Sequence, residues 1–123
     1  MAAPNLIGAT TITGKTAGVN LTTTNATIVV SNAASSGKCL KVNTLNIANY
    51  GTVAVAVTVG YYNSYNTAGT LFPITSSISV PIGGTVTVIQ KNTQYYLEEN
   101  TCLGATAGTA NAITITCSYE DIS

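Results

Sequence analysis

The sequence contains no histidine, no arginine and no tryptophan, and only 7% of its 123 residues are charged. A typical soluble domain carries about 25% charged residues. Four lysines balance four acidic residues, so the formal net charge is zero. Without an arginine-rich patch to neutralise phosphates, we expect no nucleic-acid binding. Because zero net charge also removes the repulsion between copies, association is favoured.

The absent residue types exclude most catalytic and metal sites. Histidine supplies the general base of hydrolytic triads and is the commonest metal ligand. The acidic residues form two adjacent pairs, Glu98 with Glu99 and Glu120 with Asp121. Side chains of adjacent residues on an extended strand point to opposite faces. Neither pair therefore places an acid and a base on the two sides of one substrate bond. We therefore predict no enzyme, no catalytic residue, no metal, no cofactor and no small-molecule substrate.

The three cysteines, Cys39, Cys102 and Cys117, have neither zinc-site nor redox-motif spacing. Residues 1–14 lack the basic and apolar regions of a signal peptide, and no apolar run has the length of a membrane span. The sequence thus predicts a protein made in a reducing cytoplasm, with no membrane association and with thiols that behave as small buried hydrophobes. A Cys102–Cys117 disulfide within one hairpin stays open as an alternative.

Two-residue alternation is the dominant pattern of the sequence and predicts β-strands. Val53, Val55, Val57 and Val59 share one face of their segment, as do the alternate residues of 113–119. Short strands spaced 8–12 residues apart by turn residues indicate a sandwich or barrel. We predict one all-β domain over residues 1–123, a single antiparallel β-sandwich of jelly-roll or Ig-like topology without significant helix.

The predicted strands are residues 8–14, 18–23, 26–31, 38–49, 53–62, 77–82, 85–91, 94–99, 102–107 and 112–119. Gly83-Gly84, between two alternating runs, predicts a two-residue hairpin, with Ile82 on the same face as Ile78 and Val80. Residues 1–20 alternate less cleanly. They are a candidate arm that exchanges with a neighbouring subunit or adds a strand to it.

Five of the seven tyrosines fall in two groups and form a candidate partner-contact surface. These are Tyr61, Tyr62, Tyr65, Tyr95 and Tyr96. Tyrosine offers a large contact area with a polar tip. A half-buried sheet also produces such residues without any binding role, and we expect at least two of the five to be packing residues. Tyr65, in the polar loop 63–69, is the strongest candidate for an exposed contact.

Four segments resemble a family of small virion structural proteins from tailed phages of marine bacteria, cyanophages above all. They are MAAPNLIGATTITGKT (1–16), SSGKCLKVNTLNIAN (35–49), SSISVPIGGTVTVIQKNTQYYLEEN (76–100) and TCSYEDIS (116–123). Family members read Glu-Glu-Gly-Asp where this sequence has residues 98–101 as Glu-Glu-Asn-Thr. The resemblance implies a β-sandwich subunit of a phage particle and no catalytic residues.

The leading functional prediction is a non-enzymatic structural protein of a bacteriophage virion, assembled in the host bacterial cytoplasm. A head decoration (cement) protein is the first choice, and a neck or tail component the second. Expected partners are copies of itself, as a trimer or larger ring, and other virion proteins such as the major capsid protein or neck and tail proteins. The alternative is a glycan-binding or adhesin-type module displayed on a particle or fibre, and a pilus subunit is a weaker third.

Overall fold

The structure, a computed structural model, describes residues 8–123, which form nine β-strands and one short 3-10 helix. The strands are β1 (Ile12–Leu21), β2 (Thr27–Asn32), β3 (Cys39–Asn49), β4 (Val55–Tyr62), β5 (Leu71–Val80), β6 (Thr85–Ile89), β7 (Tyr95–Leu97), β8 (Thr101–Ala107) and β9 (Ile113–Ile122). The 3-10 helix, Lys91–Thr93, separates β6 from β7. The prediction of an all-β protein without significant helix is confirmed.

The strands form two antiparallel sheets that pack together as a sandwich. The first sheet has the order β1-β9-β3-β6, with β7 also pairing with β3, and the second has the order β2-β8-β4-β5. Since β6 and β7 pair with successive parts of β3, they act as one interrupted strand. Eight strands in this order, with the first beside the last, form a jelly roll. An Ig-like sandwich pairs its first strand with its second instead.

The core lies between the sheets and consists of the inward faces of the alternating strands. Val55, Val57 and Val59 of β4 are buried, and Ile113 and Ile115 of β9 are fully buried against them in the same cluster. Because β9 lies between β1 and β3, its residues pack under two neighbours. The alternation predicted for these two strands is confirmed, except that Val53 lies in the loop before β4 and is exposed.

The connections between strands lie at two opposite ends of the sandwich. One end has loops 22–26, 50–54, 81–84 and 108–112, none of which contains a charged residue, and we call it the neutral end. The other end has loops 33–38, 63–70 and 98–100 together with the start of β1 and the finish of β9. We call it the charged end. At this end Asn100 adopts a φ of 62°. Asparagine tolerates this left-handed conformation better than other non-glycine residues do.

The predicted hairpin at Gly83-Gly84 is wrong. The Gly84 N–H donates to the carbonyl oxygen of Pro81 at 2.9 Å, and Gly83 has a φ of 69°, so a tight turn is present with Ile82 and Gly83 at its centre. However, β5 belongs to the second sheet and β6 to the first. The glycine pair marks a chain reversal, and a reversal that crosses between sheets has the same local signature as one within a sheet. Ile82 is therefore exposed in the turn instead of lying in the core.

The N-terminal region differs from its prediction in one respect. In place of two strands at 8–14 and 18–23, the chain forms one ten-residue strand, β1, that pairs with β9 of the same chain from Ile12↔Ile122 to Leu21↔Ile113. Residues 1–7 of the predicted arm lie outside the described residues. Exchange of an arm with a neighbour stays a prediction.

Candidate interaction surface

An apolar cleft of about 360 Å³ opens at the edge of the sandwich, between β5 of one sheet and β7 of the other. Its lining residues are Tyr61, Phe72, Pro73, Ile74, Tyr95 and Tyr96. We call it the aromatic cleft. Among residues 8–123, no charged side chain lines it. Phe72 is 51% exposed and Tyr96 is 47% exposed, so the cleft presents aromatic rings to solvent.

Strand register explains how the cleft forms. Tyr61 and Phe72 are direct partners across β4 and β5, and their rings lie 6.1 Å apart at a tilt of 42°. This spacing is that of a favourable aromatic pair. Pro73 follows on β5, which pairs only with β4 within the described chain. A proline cannot donate to a sheet ladder, so it is tolerated on an edge strand such as this one.

The Tyr61 hydroxyl gives the cleft an uncharged polar group. Burial raises the pKa of the Tyr61 phenol, and the nearby Glu98 carboxylate adds to the shift. The phenol is therefore a neutral hydrogen-bond donor and acceptor over the physiological pH range. Apolar rings with hydroxyl tips can pack against another apolar surface or stack on a flat ligand.

The structure brings three of the five predicted tyrosines together. Tyr61, Tyr95 and Tyr96 all line the aromatic cleft, although about thirty-five residues separate the two groups in the sequence. Tyr62 is buried, and its ring covers Gly104, where an added Cβ would lie 2.7 Å from the Tyr62 Cε1 atom. Tyr65 is exposed in the loop after β4, where its N–H donates to Asn100 Oδ1 at 3.2 Å. It does not line the cleft.

The sequence prediction missed Phe72, Pro73 and Ile74. The run LFPIT (71–75) is almost continuously apolar, which is typical of a strand, and it contains Pro73, which a central strand does not tolerate. The signal that could have found this part of the cleft is the presence of a proline within an apolar run. An apolar run that contains proline is typical of an edge strand.

A second, polar pocket of about 260 Å³ lies at the charged end around Asp121. Lys15 Nζ and Lys38 Nζ donate to Asp121 Oδ2 at 3.0 and 3.1 Å. Asp121 is buried. Burial by itself raises the pKa of the Asp121 carboxyl, but the two lysines outweigh burial and hold the pKa below its usual value. These pairs join β1, β9 and the segment before β3.

The three cysteines are free thiols, and all three are buried. Cys102 lies on β8 and Cys117 on β9, which belong to different sheets, so the hairpin that would pair them does not exist. Burial raises the pKa of Cys102 to about 11 and that of Cys117 to about 12, and burial together with Glu98 raises the pKa of Cys39. Thiols of this kind are poor nucleophiles because the reactive species is the thiolate.

Within residues 8–123, no three His, Cys, Asp or Glu side chains lie close enough together to hold a metal ion. A search of the same described residues found no helix with the length and apolarity of a membrane span.

Comparison with solved structures shows where this fold occurs. A chain from the acid-stable capsid structure of Helicobacter pylori bacteriophage KHP30 has a TM-score of 0.53 at 12% identity, covering 94% of this chain and 90% of that chain. A chain from the Bacillus endospore appendages, described as disulfide-linked pili, has a TM-score of 0.50 at 17% identity, covering 99% and 95%. At these identities the similarity shows the fold alone.

A chain of the cyanophage Pam1 capsid asymmetric unit also aligns, at 16% identity over 99% of this chain and 91% of that one. Its TM-score of 0.37 is too low to indicate a common fold. No protein-family model matches the sequence, and no curated protein matches it.

Proposed function

We propose that this protein is a structural subunit of a bacteriophage virion. The observation that carries the proposal is the end-to-end structural match with a chain of the KHP30 capsid, which covers 94% of this chain and 90% of that one. The two chains are thus nearly equal in length and share one architecture over almost all of it. The sequence segments that resemble small virion proteins of tailed phages support the same assignment independently.

Head decoration is the placement we favour, with the neck or tail as the second choice. A cement protein binds at many equivalent positions on a shell, so modest affinity per copy adds up through avidity. A small sandwich with zero net charge and an exposed aromatic cleft suits this role, because the cleft can contact a neighbouring virion protein without desolvating charge. Assembly in the host bacterial cytoplasm is consistent with buried, unpaired thiols.

Mass spectrometry and cryo-electron microscopy of purified particles test this proposal. We expect the protein in the particles, in hundreds of copies if it decorates the head and in tens or fewer if it belongs to the neck or tail. A protein found in infected-cell lysate but absent from purified particles would overturn the assignment.

The aromatic cleft supports one alternative function, recognition of glycans. Tyrosine faces with hydroxyl tips are suited to stacking on sugar rings, and the cleft volume of about 360 Å³ is within the usual range for small ligands. A glycan array probed with wild type, Tyr96→Ala and Tyr65→Ala tests it. Binding that is lost in Tyr96→Ala and kept in Tyr65→Ala supports recognition in the cleft. No binding at millimolar glycan excludes it.

The fold similarity to pilus subunits does not favour a disulfide-linked fibre for this chain. Cys39, Cys102 and Cys117 are all buried, at 4%, 0% and 1% exposure, so none of them can reach a neighbouring subunit without local unfolding.

A further inference from the structure

Three large apolar side chains are exposed on two neighbouring loops of the neutral end. Tyr50 is 54% exposed, Val53 is 52% exposed and Ile82 is 60% exposed. Tyr50 and Val53 lie in the loop between β3 and β4, and Ile82 lies in the turn between β5 and β6. We call these three residues the apolar tip. They are separate from the aromatic cleft, which is lined by β4, β5 and β7.

The buried side chain of Asn49 holds both loops of the apolar tip in place. Its Nδ2 donates to the carbonyl oxygens of Val53 and Val80 at 2.8 and 2.9 Å, and its Oδ1 accepts from the Gly51 N–H at 2.9 Å. The Asn49 backbone exchanges two further hydrogen bonds of 3.0 Å with Gly83 and Gly84. Since the loops are already ordered, a partner that binds here loses little affinity to loop ordering.

All eight charged residues lie away from the apolar tip. Seven of them belong to the charged end: Lys15, Lys38, Lys41, Glu98, Glu99, Glu120 and Asp121. Lys91 lies between β6 and β7, midway along β3. The half of the molecule that ends in the apolar tip is thus covered by uncharged residues alone.

We propose that the apolar tip is the contact surface between copies of this chain in a closed homo-oligomer. Interface cores are depleted of charge, because a charge buried without a partner costs much of the binding free energy. An average protein surface carries charge, whereas the neutral end of a second copy carries none. The second copy is therefore the electrostatically matched partner for this surface.

The uneven distribution of charge between the two ends of the molecule favours a closed assembly. When neutral ends meet about a symmetry axis, the same patch is used on every copy and the charged ends point outward into solvent. The neutral end of every copy is then occupied, so growth through this contact stops. This inference extends the proposed function, since it names the surface through which virion subunits contact one another.

Sedimentation equilibrium of wild type and Ile82→Asp, from about 10 µM to 1 mM, tests the inference. We expect wild type to form a discrete oligomer and Ile82→Asp to associate about 100-fold more weakly, because the new carboxylate is desolvated in the contact. Ile12→Asp is the matched control. Ile12 is 64% exposed but lies at the charged end, at the start of β1, so its association constant stays at the wild-type value.

Val53→Asp provides a second variant, on the other loop, in case Ile82→Asp disturbs the turn. We expect it to weaken association as much as Ile82→Asp does. Circular dichroism and thermal melting verify that each variant is folded. A contact without charge also predicts an association constant that changes less than about twofold between 50 and 500 mM NaCl. A steep fall with salt would assign the contact to the charged end and refute the proposal.

Three further outcomes overturn the inference: a wild type that is monomeric at 1 mM, an Ile12→Asp variant as weak as Ile82→Asp, or tip variants that associate normally. Each of these results leaves the virion assignment standing, because presence in purified particles is measured separately. Conversely, tip-mediated association of a protein absent from particles would support the contact surface and refute the virion role.

Discussion

At the scale of single residues, the contact between Gly104 and Tyr62 shows how a small residue makes room for a large one. Tyr62 is almost fully buried although it does not belong to the core cluster between the sheets. It reaches this burial because its ring lies over Gly104, which has no side chain. The pairing explains why Tyr62, a predicted contact residue, is a packing residue instead.

We predict that Gly104→Ala destabilises the protein by about 1–3 kcal/mol, the usual cost of overpacking. The added Cβ would lie 2.7 Å from Tyr62 Cε1 and 3.3 Å from the carbonyl oxygen of Thr27, so ring and backbone must both shift. Urea denaturation measures the change. Gly18→Ala is the control, since its Cβ would meet no atom within 4 Å. Equal stability of both variants would show that Tyr62 moves away at no cost.

The buried thiols give a second prediction at this scale. Because burial raises the pKa of Cys102 to about 11 and that of Cys117 to about 12, we expect iodoacetamide at pH 8 to leave both unmodified in the native protein. In 6 M guanidinium chloride, all three cysteines should react. Intact-mass spectrometry counts the adducts, and rapid native modification of Cys117 would contradict its burial.

At the scale of strands, Asp121 ties the first and last strands to the segment before β3 through Lys15 and Lys38. The lysines hold its pKa below the ordinary value of about 3.9. This contribution to stability is therefore present above pH ~4 and is lost as the pH falls through the lowered pKa. Lys15, whose pKa Asp121 raises, contributes until the pH rises through that raised value.

We accordingly expect Asp121→Asn to lower the urea midpoint at pH 7, and we expect its difference from wild type to shrink as the pH falls below ~4 through the lowered pKa of the Asp121 carboxyl. Measuring the midpoint of both proteins from pH 2 to pH 8 tests this. Glu120→Gln is the control, since Glu120 accepts a hydrogen bond from Asn43 Nδ2 at 3.1 Å but forms no ion pair with the two lysines. A parallel pH dependence in wild type and Asp121→Asn would refute the assignment.

The strands also show how much of this fold the sequence could predict. Alternation correctly placed the inward residues of β4 and β9, because apolar and polar residues alternate along a strand that has one buried and one exposed face. Alternation does not reveal which strands pair with each other. Ile12 pairs with Ile122 across the whole chain, and Gly83-Gly84 joins strands of different sheets. Such pairings depend on long-range packing that no local pattern encodes, and the aromatic cleft depends on them too.

At the scale of the whole molecule, the scarcity of charge limits how acid can act on the protein. With four carboxylates and four lysines, complete protonation of the carboxylates changes the side-chain charge only from 0 to +4. A chain of this length with ordinary composition carries about 15 carboxylates. Repulsion in acid is therefore weak here, and no histidine is present to titrate between pH 5 and 8.

We predict that the free energy of unfolding varies by less than about 0.5 kcal/mol between pH 5 and 8, since no side chain titrates there with its ordinary pKa. At pH 3 the protein should remain folded in the absence of denaturant. Circular dichroism and urea titration across this range test the prediction. Cooperative unfolding at pH 3 without urea would contradict it.

The position of β9 has a consequence for the order in which the protein can be made. Its buried residues Ile113, Ile115 and Cys117 lie between β1 and β3, so the first sheet has no centre until the last of its strands has been synthesised. Strands β1 and β3 must wait for β9 on the growing chain, since contacts of high sequence separation form late. A ribosomal product that stops short of β9 cannot complete this sheet. Folding thus acts as a length check, because only a chain synthesised through β9 can form both sheets.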